Sequence, residues 1–332
     1  MSSPAEIPAV QLSISARVAA RLAGALGVLL GPLERALAGR AWPEGPPPVF
    51  ILGAPRSGTT LLYQILVHGY ETTYLDNLCS QLPDLPILAK WLSRTLLGPD
   101  PERSDFRSEW GRTNGLKGPS ECAAMWYRWF PGAEQPYVAP GSTPERSLRE
   151  LRGTCTALAA MAHRPLVVKN TVNCMRIAGI AEALPEALFL VVERDLAGTA
   201  ASLLAGRIRR RGSAEGWVGT VPREIEALRG RPAWEQVVDQ TFFLRRQIQR
   251  DRERLGADRF HTVRYEGLCA DPRTEMSRVL GFLARHGLTL APREELPEAF
   301  PAPSSAKLDR ELLERVEHRA QALETGTATV QP

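Results

Sequence analysis

A doubly wound α/β fold, with a parallel sheet flanked by helices, is the architecture this chain predicts. Three observations carry the prediction. Three short, mostly apolar runs, Val49–Leu52, Leu166–Lys169 and Leu188–Glu193, and a further segment, 260–265, read as strands. Helical patterns follow them, and strands alternating with helices pair in parallel. Polar residues with chemical potential gather where the runs end, and open α/β sheets bind ligands at the carboxyl ends of their strands.

The elements follow in chain order. Residues 12–38 read as one or two amphipathic helices, broken near Gly31 and Pro32. Their longest apolar run is about 12 residues, short of the ~20 a bilayer span requires. No basic leader with a small-residue cleavage site precedes them. They pack on the main domain or lie on a membrane surface. The joint 41–48 (AWPEGPPP) is too proline-rich to be helical throughout and closes an N-terminal segment, 1–48. The main domain, 49–332, opens with the strand Val49–Leu52 and a helix over 58–68. Residues 70–160 are rich in Trp, Pro and Gly and read as an irregular insertion that builds the acceptor side. The strand Leu166–Lys169 precedes a helix to about 184. Leu188–Glu193 precedes a helix around 196–204. A long Arg-rich helix fills 233–256. The strand 260–265 leads to a helix over 271–286, and the C-terminal stretch 306–323 is helical.

Composition narrows the function. With 44% hydrophobic residues the chain buries a sizeable core, and a net charge of +4 is too mild for a nucleic-acid binder while suiting a small anionic partner. The five cysteines are scattered, with no CxxC pair or Cys/His cluster. That pattern fits free thiols in a reducing, cytoplasmic setting rather than a metal site or disulfide framework. The lysines are only Lys90, Lys117, Lys169 and Lys307, so each stands out among the arginines.

Gly53 to Thr60 (GAPRSGTT) has Walker A spacing after a strand and before a helix. Backbone N–H groups of such a loop converge on an anion, and the helix dipole reinforces them. Thr59 stands where the loop's Lys is expected. In ATP and GTP enzymes that Lys and Mg²⁺ balance a triphosphate. Without it, a less charged group is the better fit, with Arg56 supplying the cation, Thr59 and Thr60 donating hydroxyls, and Ser57 and Gly58 completing the cradle.

ILGAPRSGTTLL resembles the 5′-phosphosulfate loop of sulfotransferases that use 3′-phosphoadenosine 5′-phosphosulfate (PAPS), most of all the tyrosylprotein and related bacterial enzymes. A second segment, Lys169-Asn170 and then ALPEALFLVVERD with Ser202, is similar to the family's 3′-phosphate segment. There an Arg at a strand end and a Ser eight residues later hold the phosphate. The resemblance gives these roles to Arg194 and Ser202. The stretch from Val263 through Tyr265 to Pro272 is similar to a third motif and adds Tyr265 to the donor set. The likeness spans about residues 49–310 and implies a P-loop-like sheet, PAPS as co-substrate and no metal. Two departures stand out. Gly206 occupies a place where the family often has another Arg, with Arg207, Arg209, Arg210 and Arg211 following. No His lies between His68 and His163, so the histidine base of cytosolic-type enzymes is missing.

Sulfuryl transfer asks an enzyme to position an acceptor hydroxyl and neutralise the leaving phosphate. Arg56, Thr59, Thr60 and Lys169 are the electrostatic candidates, and Lys169 matches a Lys that tyrosylprotein enzymes place near the bridging oxygen. Two carboxylates compete as general base. Asp76 follows the phosphate-loop helix, and Glu121, preferred here, resembles a Pro-x-Glu segment of some bacterial relatives. Ser304, Ser305 and Lys307 match, by position, a C-terminal loop that closes over the donor. Ser304 or Ser305 could equally cap a helix. Trp110, Trp126, Tyr127, Trp129 and Phe130 form a cluster that either stacks on an acceptor or belongs to the core. The expected reaction moves a sulfuryl group from PAPS to a hydroxyl on a small-molecule or glycan acceptor: a carbohydrate, glycolipid or secondary metabolite. The rivals are a P-loop kinase or NTPase and a non-catalytic donor-binding scaffold docked on a membrane through 12–38.

Overall fold

The structure is a computed structural model and describes residues 14–99, 101, 104, 106–108, 111–301 and 308–327. Its strands are β1 (Val49–Leu52), β2 (Thr73–Tyr74), β3 (Leu166–Lys169), β4 (Leu188–Glu193) and β5 (Phe260–Arg264). They form one sheet in the order β2-β3-β1-β4-β5, and every pair is parallel. β1 is central, with Ile51 opposite Lys169 on one side and Leu190 on the other. The loop after β1 therefore opens where the chain turns to opposite sides of the sheet, the place where such folds bind ligands.

β1, β3 and β4 read as nearly continuous apolar runs because both faces are covered. Phe50, Leu52, Val168, Phe189 and Val191 point into one core, and Val49, Ile51, Val167, Leu190 and Val192 into the other. The helices are α1 (Ile14–Ala38), α2 (Thr59–Gly69), α3 (Asn77–Gln81), α4 (Pro86–Leu97), α5 (Glu145–Ala162), α6 (Ile177–Ala183), α7 (Leu196–Arg211), α8 (Ile225–Leu228), α9 (Ala233–Leu255), α10 (Tyr265–Ala270), α11 (Pro272–Arg285) and α12 (Arg310–Glu324).

Three expectations change. First, α1 is continuous through Pro32. A mid-helix proline deprives the carbonyl four residues earlier of its donor. That residue is Val28, 83% exposed, so the carbonyl sits on a face open to water. Second, the insertion is more regular than its composition suggests. It contributes the edge strand β2 and the 18-residue helix α5, which buries Leu151, Cys155, Leu158, Ala159 and Ala162 at helical spacing. Third, the helix expected directly after β3 is a 3₁₀ turn over Thr171–Met175 and then the short α6.

α1 packs on α4 and α5. Its one carboxylate, Glu34, is buried and accepts from the Ile87 and Leu88 N–H groups at 2.7 and 3.1 Å. It thereby satisfies the start of α4, whose N-cap Leu85 has no side-chain acceptor. Burial raises the Glu34 pKa, and the two N–H groups oppose the rise.

Candidate active site

The loop between β1 and α2 is shaped by three positive φ angles, Gly53 at 154°, Arg56 at 73° and Gly58 at 101°. For Arg56 this left-handed conformation is strained by about 1–3 kcal/mol, a cost that recurs at ligand-binding positions. For Gly58 there is no alternative. A Cβ there would sit 2.1 Å from the Tyr265 ring, and one at Gly53 would sit 2.6 Å from Ser57 Oγ. Tyr265, the first residue of α10, packs on the loop. Ser57 is buried, and its Oγ has no hydrogen-bond partner within the protein.

Arg56 and Arg194 meet beside this loop. Arg56 Nε donates to Ser202 Oγ on α7 at 3.2 Å, and Arg194 Nη1 donates to the Arg56 carbonyl at 3.2 Å. The Arg194 guanidinium lies 5.1 Å from the centre of the Tyr265 ring. Burial lowers the Arg56 pKa, and repulsion from Arg194 and Arg209 adds to the effect. Burial raises the Tyr265 hydroxyl to about 12, assisted by its hydrogen bond with Cys269. The four residues that the two main motifs and the third segment single out are thus neighbours in space. Of the arginines after Gly206, Arg207 is fully buried and donates to Gln236 and Gln240 at 2.8 and 2.9 Å. Arg210 lines the cleft.

At the end of β3, Lys169 bridges two elements. Its Nζ donates to Thr60 Oγ1 on α2 at 3.0 Å and forms a close ion pair with Glu121 Oε1. Glu121 is held by its backbone: its carbonyl accepts from Asn170 Nδ2 at 3.1 Å and Trp126 Nε1 at 3.2 Å. The preceding residue is tied to the sheet edge, with Ser120 N–H donating to the Leu75 carbonyl at 2.8 Å. Gly111 lies over the cluster. A Cβ there would be 3.3 Å from Thr60 Oγ1 and 3.4 Å from Lys169 Nζ.

Asp76 is not brought to this place. It is fully buried, receives Lys90 Nζ and Ser93 Oγ at 2.8 Å each, and caps α3 through the Cys79 N–H at 3.0 Å. Its oxygens stitch α3 to α4, behind the cleft wall formed by Asn77 and Ser80. Trp126, Trp129 and Phe130 are likewise core residues, each 1% exposed, whereas Tyr127 reaches the surface. His68 is buried edge-on to Phe106 at 6.0 Å. Ser304, Ser305, Lys307 and Trp110 lie outside the described residues.

Both clusters open into one cleft of about 710 Å³. Among the described residues its lining carries five cations, Arg56, Arg112, Lys169, Arg194 and Arg210, against one carboxylate, Glu121. Arg112 and the edge-to-face rings of Phe106 and Phe300, 5.2 Å apart, were not singled out by the sequence and sit in segments with no motif. Arg210 belongs to the arginine run that follows Gly206.

A glycine loop at the switch point of an all-parallel α/β sheet, opening on a cationic cleft, is a setting in which such folds bind anionic ligands. A model of the sulfotransferase family matches residues 47–286, and the chain belongs to that family of sulfuryl-group transferases. Among solved structures, it is similar in fold to the sulfotransferase STF9 from Mycobacterium avium. That match has a TM-score of 0.53 and 17% identity over 95% of this chain and 76% of that one. Sulfotransferase STF1 from Mycobacterium tuberculosis is similar too, with a TM-score of 0.51 and 16% identity over 92% and 84% of the two chains. A search of curated proteins returned no sequence match.

Proposed function

We propose that the chain transfers the sulfuryl group of PAPS to an acceptor hydroxyl on a carbohydrate, glycolipid or secondary metabolite. The observation that carries this reading is the shared cleft: Arg56, Arg194 and Tyr265 at one end, and Thr60, Lys169 and Glu121 at the other. The residues suit such a donor. The Gly53 and Gly58 positions leave no room for a side chain, and the buried Ser57 Oγ lacks a partner, as expected of a loop shaped around an anion. The five-to-one excess of cations suits a ligand carrying phosphate at both ends.

PAPS, when bound, supplies a sulfuryl group on a phosphate that departs as the leaving group. The loop N–H groups, Ser57, Thr59 and Thr60 hold the 5′ end, with Arg56 as the cation. Arg194 and Ser202 hold the 3′-phosphate, through a guanidinium suited to bidentate binding and a hydroxyl at a strand–helix junction. Lys169 bears on the leaving phosphate from the end of β3. Glu121 accepts the proton of the acceptor hydroxyl, being the cleft's only carboxylate among the described residues. Phe106 and Phe300 give the acceptor an apolar wall.

Titration with adenosine 3′,5′-bisphosphate tests the donor. It should bind more tightly than ATP with Mg²⁺, and Arg194→Ala should weaken it by about 10- to 100-fold, the worth of a charge-assisted hydrogen bond. Wild-type affinity in Arg194→Ala would overturn the 3′-phosphate assignment, and preference for ATP with Mg²⁺ would point to a kinase.

A further inference from the structure

The outward face of α1 has no role in the reaction. Along this helix Gly27, Gly31, Glu34 and Ala38 form the buried stripe, at the spacing of one helical face. Val18, Leu22, Leu29 and Leu33 recur at the same spacing on the opposite side, and they are 50–73% exposed. Leu26 and Val28 widen the exposed apolar face. Helix α4, packed against α1, exposes Trp91. Scattered exposed apolar residues are ordinary, but a continuous stripe of them marks an interaction surface.

The charges beside the stripe identify its partner. Arg17, Arg21 and Arg35 are exposed and share one flank of the helix, at multiples of about one turn. No exposed carboxylate lies on α1, because Glu34 is turned inward onto α4. A second copy of this chain docked through the same face would set arginines against arginines with no acid to pair them. A bilayer with anionic headgroups meets both requirements, accepting the apolar stripe at the acyl boundary and the arginines at the phosphates. Among the described residues no helix is long and apolar enough to cross a membrane, so the geometry is that of a helix lying in the interface. Trp91 fits the same depth, since indole rings favour the headgroup level.

We infer that the chain docks on anionic membranes through the outer face of α1. Lys117, in the segment leading to Glu121, donates to the carbonyl of Leu97 at 3.0 Å, which ties α4, packed on α1, to that segment.

Sedimentation of the full chain with vesicles tests this. Vesicles of phosphatidylcholine with phosphatidylserine should pull the protein down, and phosphatidylcholine alone should do so at least tenfold less well. The combined variant Leu22→Glu, Leu29→Glu and Leu33→Glu should lose binding at least tenfold. Arg17→Glu with Arg21→Glu should lose it by a similar factor, more at low salt than at high salt. Both variants should keep wild-type affinity for adenosine 3′,5′-bisphosphate, which separates loss of docking from loss of fold or of donor binding. Three results would overturn the inference: wild-type protein staying in solution with anionic vesicles, undiminished binding by the leucine variant, or a wild-type dimer that this variant converts to monomer.

Discussion

Lys169 shows how much one residue can connect. It stands at the end of a central strand, is 3% exposed in its side chain, and reaches both the donor loop through Thr60 and the insertion through Glu121. Glu121 in turn is fixed through its main chain, so the carboxylate is held in place while still facing the cleft. Replacing it separates chemistry from binding. Glu121→Gln should lower turnover by about 10²–10⁴, the range for a positioned proton acceptor, with bisphosphate affinity unchanged. Asp76→Asn should do something different. It breaks a buried ion pair with Lys90 and should cost about 3–5 kcal/mol in urea unfolding. Wild-type stability together with lost turnover in Asp76→Asn would instead make Asp76 the base. Spacing along the chain leaves both carboxylates in contention. The choice depends on the path of the insertion, which turns Glu121 outward and folds Asp76 onto α4.

At the scale of elements, β1, β3 and β4 were legible because they are buried on both faces and read as nearly unbroken apolar runs, and β5 was legible from its length and the helix that follows it. β2 was not, since two residues carry no pattern. α5 was hidden for another reason. Its exposed positions are crowded with Arg and Glu, its length lies inside a Pro- and Gly-rich region, and its apolar stripe is built largely from Ala, Cys and Thr. Those small residues serve close packing. Gly153 of α5 meets the end of α1 so tightly that a Cβ there would lie 1.8 Å from the Ala38 carbonyl oxygen. Gly153→Ala should therefore force the two helices apart and destabilise the protein by about 1–3 kcal/mol, measured by thermal unfolding. An unchanged melting temperature would mean that the α1–α5 contact is dispensable. The glycine loop after β1 was legible at the same scale, since its glycines, Arg56 and threonines have fixed offsets. The aromatic and arginine walls of the cleft were not, because they arrive from segments far apart in the chain.

For the molecule as a whole, the five dispersed cysteines are free and buried. Burial pushes the Cys155 and Cys174 thiols up to about 12, and it raises those of Cys79, Cys122 and Cys269 as well. A raised pKa keeps each group protonated and unreactive at pH 8. None of the five should react with a water-soluble disulfide reagent in the native state, and all five should react in denaturant. Rapid reaction of any one of them under native conditions would show local opening of the core that surrounds it.

The central position of β1 has a further consequence, for synthesis on the ribosome. β1 leaves the ribosome early, yet its two hydrogen-bonded neighbours begin only at Leu166 and Leu188. At about 5–20 residues per second, that leaves the nascent Val-Phe-Ile-Leu segment without strand partners for roughly ten seconds. During this interval a sticky apolar edge trails from the ribosome. The strand that presents the glycine loop is thus a part of the nascent chain in need of a chaperone's shelter.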